Sequence, residues 1–404
     1  MTFETHFISE LIDEISMGPF GSNIKVECFV DEGIPVLNGS NLEGYELKED
    51  SFRYVTEEKA DSLNKANAYR GDVVITHRGT LGQIVFIPQT SKYDRYVISQ
   101  SQFRIRCNDK ILPEYMVYYF HTRIGQHKLL SNASQVGVPA LARPSTTFQK
   151  IDIEIPDITT QRRIVAVLQR IHDKIAVNTA INENLEQQAQ AIFKSWFGAD
   201  IENLNPSNCK SLGELVTSVD NRGKTPPLSN EKTEYPIIDV RALSGSGRII
   251  NFSNCTKYVE EGTYNNWFRN GHPKDYDILI STVGSLAEMK IYLGNIGCIA
   301  QNVVGFRSKG LSPIYLYQYL NYIRKELVSY NIGSVQPSIK VTHIIKHPIF
   351  IPENDKIEKF DMLIKDYTLK IYNNCCENKR LVELRDTLLP KLMNGEIDIS
   401  KVKT

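Results

Sequence analysis

Gly223-Lys224-Thr225 has the tail of a phosphate-binding loop, in which backbone N–H groups cradle a phosphate and the lysine neutralises it. The pattern requires a first glycine at 218, where Ser218 stands, and Pro226-Pro227 blocks the helix that should follow. Amino-group methylation of a base would call for an Asx-Pro-Pro-aromatic strip; Thr225-Pro226-Pro227-Leu228 fails it at both ends. His343 and His347 stand four apart without an acidic companion at helical spacing, so they do not form a metalloprotease-type pair. Seven cysteines (Cys28, Cys107, Cys209, Cys255, Cys298, Cys375, Cys376) are scattered with no C-x-x-C spacing, which predicts reduced thiols and no metal site. Adjacent Cys375 and Cys376 would point about 100° apart on a helix, which disfavours joint ligation. No Ser, His and Asp fall into a nucleophile-elbow pattern. The sequence therefore predicts no catalytic residues and no metal.

The elements that would carry any other function repeat at about half the chain length. Ile155-Pro156 recurs as Ile351-Pro352, an offset of 196, each closing a β-rich stretch and opening a long helical pattern. In the first pattern Ile164, Leu168, Ile171, Ile175, Asn178, Asn182, Leu185, Ala189, Ile192 and Trp196 alternate at spacings of four and three. Adding 196 to each gives Phe360, Ile364, Tyr367, Ile371, Asn374, Asn378, Leu381, Arg385, Leu388 and Leu392. A sustained 3.5-residue period marks helices that pack along their length, and a polar residue in the seam fixes register. These two helices are expected to pack on each other, antiparallel, with the central asparagines meeting; about 35 residues each makes a rod of roughly 50 Å.

Ahead of each helix, Gly71 to Ile75 matches Tyr276 to Ile280, and Arg78 to Gly82 matches Val283 to Ala287, both at offset 205. Ile98-Ser99-Gln100 matches Ile299-Ala300-Gln301, and Ser134 to Leu141 shares a polar turn with Ser334 to Ile339. The chain thus reads as α+β: a β-rich domain over 1–156, a helix over 157–203, a second β-rich domain over 204–352, and a helix with the C-terminal tail over 353–404.

Composition narrows the class. With 41% hydrophobic and 23% charged residues the chain is a globular protein. No apolar run approaches the ~18 residues of a membrane span, and the N-terminus lacks a signal pattern, so a cytoplasmic location is expected. The net charge of zero hides an asymmetry: residues 1–156 hold 16 Lys+Arg against 20 Asp+Glu, net −4, and residues 204–352 hold 16 against 11, net +5. Only the second half has the basic excess usual for a nucleic-acid partner.

Several motifs resemble the specificity subunits of Type I restriction-modification enzymes over essentially the whole chain. They are Met17-Gly18-Pro19-Phe20-Gly21-Ser22, Arg78-Gly79-Thr80-Leu81-Gly82, Gln161-Arg162-Arg163-Ile164, Ala191 to Phe197, and Leu384 to Ile397. The resemblance implies two target-recognition domains, each reading half of a bipartite double-stranded DNA target, with the helix pair setting the gap. It also implies two modification (methyltransferase) subunits carrying S-adenosylmethionine, and restriction (translocase-nuclease) subunits using ATP and Mg. The chain itself would be non-catalytic and cofactor-free, with no membrane partner. The net −4 of the first domain departs from what a DNA-facing surface needs.

On that reading, bases are recognised by polar side chains in the matched turns, while phosphate contacts set register. Candidates in the first domain are Lys25, Asn38, Asn41, His77, Arg78, Thr80, Gln83, Gln100 and Gln102; in the second, Arg222, Lys224, Thr225, Arg241, Ser281, Gln336, Ser338 and Lys340. Phe20, Tyr45, Trp267 and Phe268 could stack on bases, although core packing suits them as well. Two other readings compete: a specificity subunit serving a methyltransferase-only system, and a coiled-coil scaffold whose β domains bind proteins.

Overall fold

Asp72–Thr76 and Ile278–Ser281 are centred on the apolar triplets Val73-Val74-Ile75 and Ile278-Leu279-Ile280 and are buried along their whole length, so each becomes the inner strand of a sheet covered on both faces. A computed structural model describes residues 2–19, 23–134 and 137–399. Phe20, Gly21 and Ser22, part of one quoted motif, lie outside the described residues. The chain divides into two units, Met1–Asp173 with Leu381–Thr404, and Lys174–Arg380.

In the first unit a four-stranded antiparallel sheet runs in the order Ile12–Met17, Gln102–Cys107, Asp72–Thr76, Ile84–Phe86. A second sheet, which includes Ile34–Val36 and Arg95–Val97, packs beside it, and Phe3–Phe7 pairs with Asp152–Pro156. The core gathers Val73, Ile75, Phe103 and Ile105 from the sheet, Tyr115 to Phe120 from a short helix, and Ile164 and Leu168 from the first long helix. Leu389, Leu392, Met393 and Ile399 complete it.

The second unit repeats the plan. Its sheet runs Val216–Val219, Val303–Ser308, Ile278–Ser281, Met289–Ile291, again antiparallel throughout. A short parallel pair, Ile237–Ile238 with Cys298–Ile299, stands where the first unit pairs Val36 with Val97, and Cys209–Ser211 pairs with Pro348–Phe350. An internal ion pair repeats too: Asp72 meets Arg106 at 2.9 Å and Asp277 meets Arg307 at 2.7 Å. Both carboxylates are buried, and both accept the backbone N–H three residues upstream.

The long helices span Ile158–Glu202 and Asn354–Met393, 45 and 40 residues, longer than the seam pattern alone indicates. Asp157 starts the first by accepting the N–H groups of Thr159 and Thr160, a cap whose hydrogen bond from the Thr160 hydroxyl holds the carboxyl below its ordinary range. Gln161 is buried behind it, bonded to Leu112 N–H and to the carbonyls of Lys110 and Pro156. The helices pack antiparallel. Asn178 donates to Asn378 at 2.9 Å, Asn374 donates to Asn182 at 2.8 Å, and further along Lys356 meets Asp200 at 3.2 Å. Every described seam position named above is buried or half-buried.

Candidate nucleic-acid interface

Two loop clusters, one per unit, are assembled by the same three backbone hydrogen bonds. In the first unit, the turn after Thr76 is fixed by His77 N–H to Ser101 O (2.9 Å), Leu141 N–H to His77 O (2.9 Å), and Gly79 N–H to Pro139 O (2.9 Å). The second unit makes Thr282 N–H to Asn302 O (2.8 Å), Ile339 N–H to Thr282 O (2.9 Å), and Gly284 N–H to Pro337 O (3.0 Å). The three turns that recur at different offsets in the sequence are therefore tied together, strand end to strand end, in both units. Gly79 and Gly284 both have positive φ, 90° and 84°, where a side chain would strain the backbone.

Arg78, Thr80 and Gln100 stand exposed on the first cluster, and their side chains make no hydrogen bond or ion pair among the described residues. Gln83 is half-buried and joins another loop to the turn: its amide donates to Gly39 O at 2.9 Å and accepts from the Thr76 hydroxyl at 3.1 Å. Asn38 belongs to that loop and caps it through Ser40 N–H. His77 is half-buried with Nε2 at 3.1 Å from Gln100 O; burial pushes its pKa below the ordinary imidazole value, so it faces this surface uncharged at neutral pH.

On the second cluster Gln336 and Lys340 are exposed and unpaired among the described residues, and Ser338 is half-buried with its N–H bonded to Asn331 Oδ1 at 2.9 Å. Thr225 joins the cluster through a hydrogen bond from Gln301, and exposed Lys224 precedes it. Arg222 is half-buried and chelated by Asp220 at 2.6 and 2.8 Å.

Some expectations change on physical grounds. Asn41 is fully buried, its amide nitrogen donating to the carbonyls of Lys48 and Asp50 and its oxygen accepting Asn38 N–H. Ser281 is equally buried, its hydroxyl donating to Ser285 O and accepting Glu288 N–H. Gln102 is buried and accepts Ser99 N–H. Their polar atoms shape the turns from inside the fold. Lys25, 3.9 Å from Glu27, and Arg241, paired with Asp239 at 2.8 Å, are exposed, but no hydrogen bond among the described residues ties either to its cluster. Tyr45 packs against Tyr118, His121 and His172, and Phe268 is buried against Trp267, so these rings serve the interior.

Two exposed residues escaped the sequence reading. Gln301 is the repeat of Gln100 and sits at φ 42°, a conformation non-glycine residues seldom adopt. The match of 98–100 with 299–301 already pointed to it. Arg143 follows the loop bonded to His77, is exposed, and has φ 46°. No spacing pattern marked it. Among the described residues no cluster of three or more His, Cys, Asp or Glu could hold a metal, and no helix is long and apolar enough to cross a membrane.

Comparison with known proteins follows the same outline. The family model described as Type I restriction modification DNA specificity domain matches residues 24–187 and again 206–371. The chain is 24% identical to the Type I restriction enzyme MjaIX specificity subunit of Methanocaldococcus jannaschii, over 97% of this chain and 93% of that one. It is 26% identical to the HindI specificity subunit of Haemophilus influenzae, over 81% and 87%. The crystal structure of a Type I restriction-modification S subunit from M. genitalium has the same fold, with a TM-score of 0.58 at 15% identity over 97% of this chain and 96% of that chain.

Proposed function

The chain belongs to the Type I restriction-modification DNA specificity family, and from that premise we propose how it reads DNA: each loop cluster engages one half of a bipartite, asymmetric target. The observation that carries this reading is the three-bond clamp built twice, on two sheets of one topology, and furnished with different exposed side chains. Arg78, Thr80 and Gln100 would contact the first half-site, and Lys224, Thr225, Gln336 and Lys340 the second. An arginine or glutamine can make paired hydrogen bonds to a guanine or adenine edge, and a lysine can hold a phosphate. Because the two sets differ, the half-sites differ and the full target is not a palindrome.

Domains over 1–156 and 204–352 would do the reading, and the helices over 157–203 and 353–404 would set the gap. On this account the chain supplies the address without catalysing a reaction. Methylation with S-adenosylmethionine falls to two modification subunits, and ATP- and Mg-dependent translocation and cleavage to restriction subunits where these are present.

Genome-wide methylation mapping in a host expressing this chain with its modification subunit tests the proposal. The expected result is a split motif with a fixed gap that disappears when this chain is deleted. Arg78→Ala should weaken binding by about 1–3 kcal/mol and relax one position of one half-site. An unaltered motif at full strength in that variant removes Arg78 from the reading set. Absence of any new motif from an assembled, cofactor-loaded complex rejects the function in favour of a protein-binding scaffold.

A further inference from the structure

The two units attach their β folds to the long helices at the same place with opposite chemistry. Tyr45 and Arg248 are repeat equivalents: Phe86 N–H bonds to Tyr45 O at 3.1 Å and Ile291 N–H to Arg248 O at 2.7 Å, while Phe86 and Ile291 hold matching positions on the outer strands. In the first unit the β fold offers the ring and the helix the cation. The Arg385 guanidinium lies 5.2 Å from the Tyr45 ring centre, and His172 packs against the same ring, tilted by 37° with centres 4.6 Å apart, and has its Nδ1 at 3.0 Å from the Tyr118 hydroxyl. In the second unit the β fold offers the cation. Arg248, fully buried, donates to Glu186 at 2.8 Å and to Thr368 at 2.8 Å, and lies over the Tyr317 ring at 5.5 Å.

On the helices, the 196-residue offset places Ala189 at the position of Arg385, Thr368 at that of His172, and Val382 at that of Glu186. Consider either fold on the other's helix positions. Arg248 would be buried against a second cation, Arg385, with valine where its carboxylate should be; Asp386 is already bonded to Arg385 at 2.7 Å. Tyr45 would face Ala189 and leave Glu186, 6% exposed, without its partner. A buried charge stripped of its partner is strongly destabilising, whereas each natural junction is paired.

We infer that these junctions act as a matched key, admitting each β fold to one position on the helix pair. This deepens the reading proposed above and rests on it. Two full-length chains with residues 1–156 and 204–352 exchanged, each co-expressed with the modification subunit, test it. One keeps the natural helices; the other carries His172→Thr, Glu186→Val, Ala189→Arg, Thr368→His, Val382→Glu and Arg385→Ala. The expected result is methylation of the natural chain's own motif, because exchange across the twofold of the helix pair only turns the molecule end for end on the duplex, at least about tenfold more complete for the matched chain, a factor that about 1.4 kcal/mol supplies. Equal methylation by the two chains, at any level, overturns the inference.

A melting cycle in the natural chain keeps the question separate from function. Arg248→Tyr and Glu186→Val should each lower the melting temperature, and the double variant should recover most of the loss; strictly additive losses overturn the matched key even if DNA reading stands. Should the natural chain direct no methylation, the function falls while this cycle still decides the junction.

Discussion

His172 shows how burial turns a common side chain into a conditional one. Held between the Tyr45 ring and the Tyr118 hydroxyl, it is pushed down to about 4, first by loss of water and next by the Arg385 charge. The unfolded chain, with an ordinary imidazole near 6.5, takes up the proton first as the solution is acidified. Stability from this group is therefore fully present above about pH 6.5 and lost progressively down to about 4. Calorimetry should find the melting temperature of the first unit falling across that window, and His172→Phe should flatten part of the slope; an unchanged slope would assign it to other groups. Single residues were also the least legible scale in the sequence. Polarity marked Asn41, Gln102 and Ser281 as surface readers, yet a turn must satisfy its own backbone groups and these side chains do so from inside. Arg143 was passed over because nothing in its spacing reveals that the chain turns there through a positive φ.

At the scale of elements the helices were the clearest signal, because a 3.5-residue apolar period survives in sequence whatever the domains do. The seam also announced its own polarity. Asn178 and Asn182 map by the 196 offset onto Asn374 and Asn378, and the bonds 178–378 and 374–182 are images of each other, a local twofold relation that only antiparallel packing permits. Asn178→Leu strips donors from Asn378 and Glu377 and should cost about 1–3 kcal/mol of second-unit stability. Replacing all four asparagines with leucine should instead raise the melting temperature while loosening register, read as mixed gap lengths in the methylated motif. A single sharp gap in that variant would show that the domains, not the seam, set register. Strand-turn-strand segments were visible from β-branched runs between turns, but their partners were not. Local pattern says that a strand forms; only the fold says that Gln102–Cys107 lies between Ile12–Met17 and Asp72–Thr76.

For the molecule as a whole, linear domain boundaries conceal that the first unit is discontinuous. Its core takes Leu389, Leu392, Met393 and Ile399 from the end of the chain, all nearly inaccessible to water. Periodicity could place Leu392 on a helix face but could not say which domain that face would serve. Burying four such side chains is worth on the order of 6–12 kcal/mol, comparable with the entire stability of an ordinary domain. A chain ending at Arg380 should keep the second unit folded and lose the first, seen as loss of one calorimetric transition and rapid proteolysis before residue 173. Two intact transitions would show that the C-terminal segment is dispensable.

That arrangement also has a timetable. A ribosome delivers the first unit's β strands early and Leu389, Leu392, Met393 and Ile399 only after residues 174–380 have been made. At roughly 5–20 residues per second, the nascent first unit waits on the order of 10–50 s with Ile164 and Leu168 lacking their final cover. During that interval the tail of a neighbouring chain offers the same apolar residues as its own, so crowded polysomes should favour exchanged dimers and dilute synthesis the monomer, a difference that sizing chromatography of the two products reads.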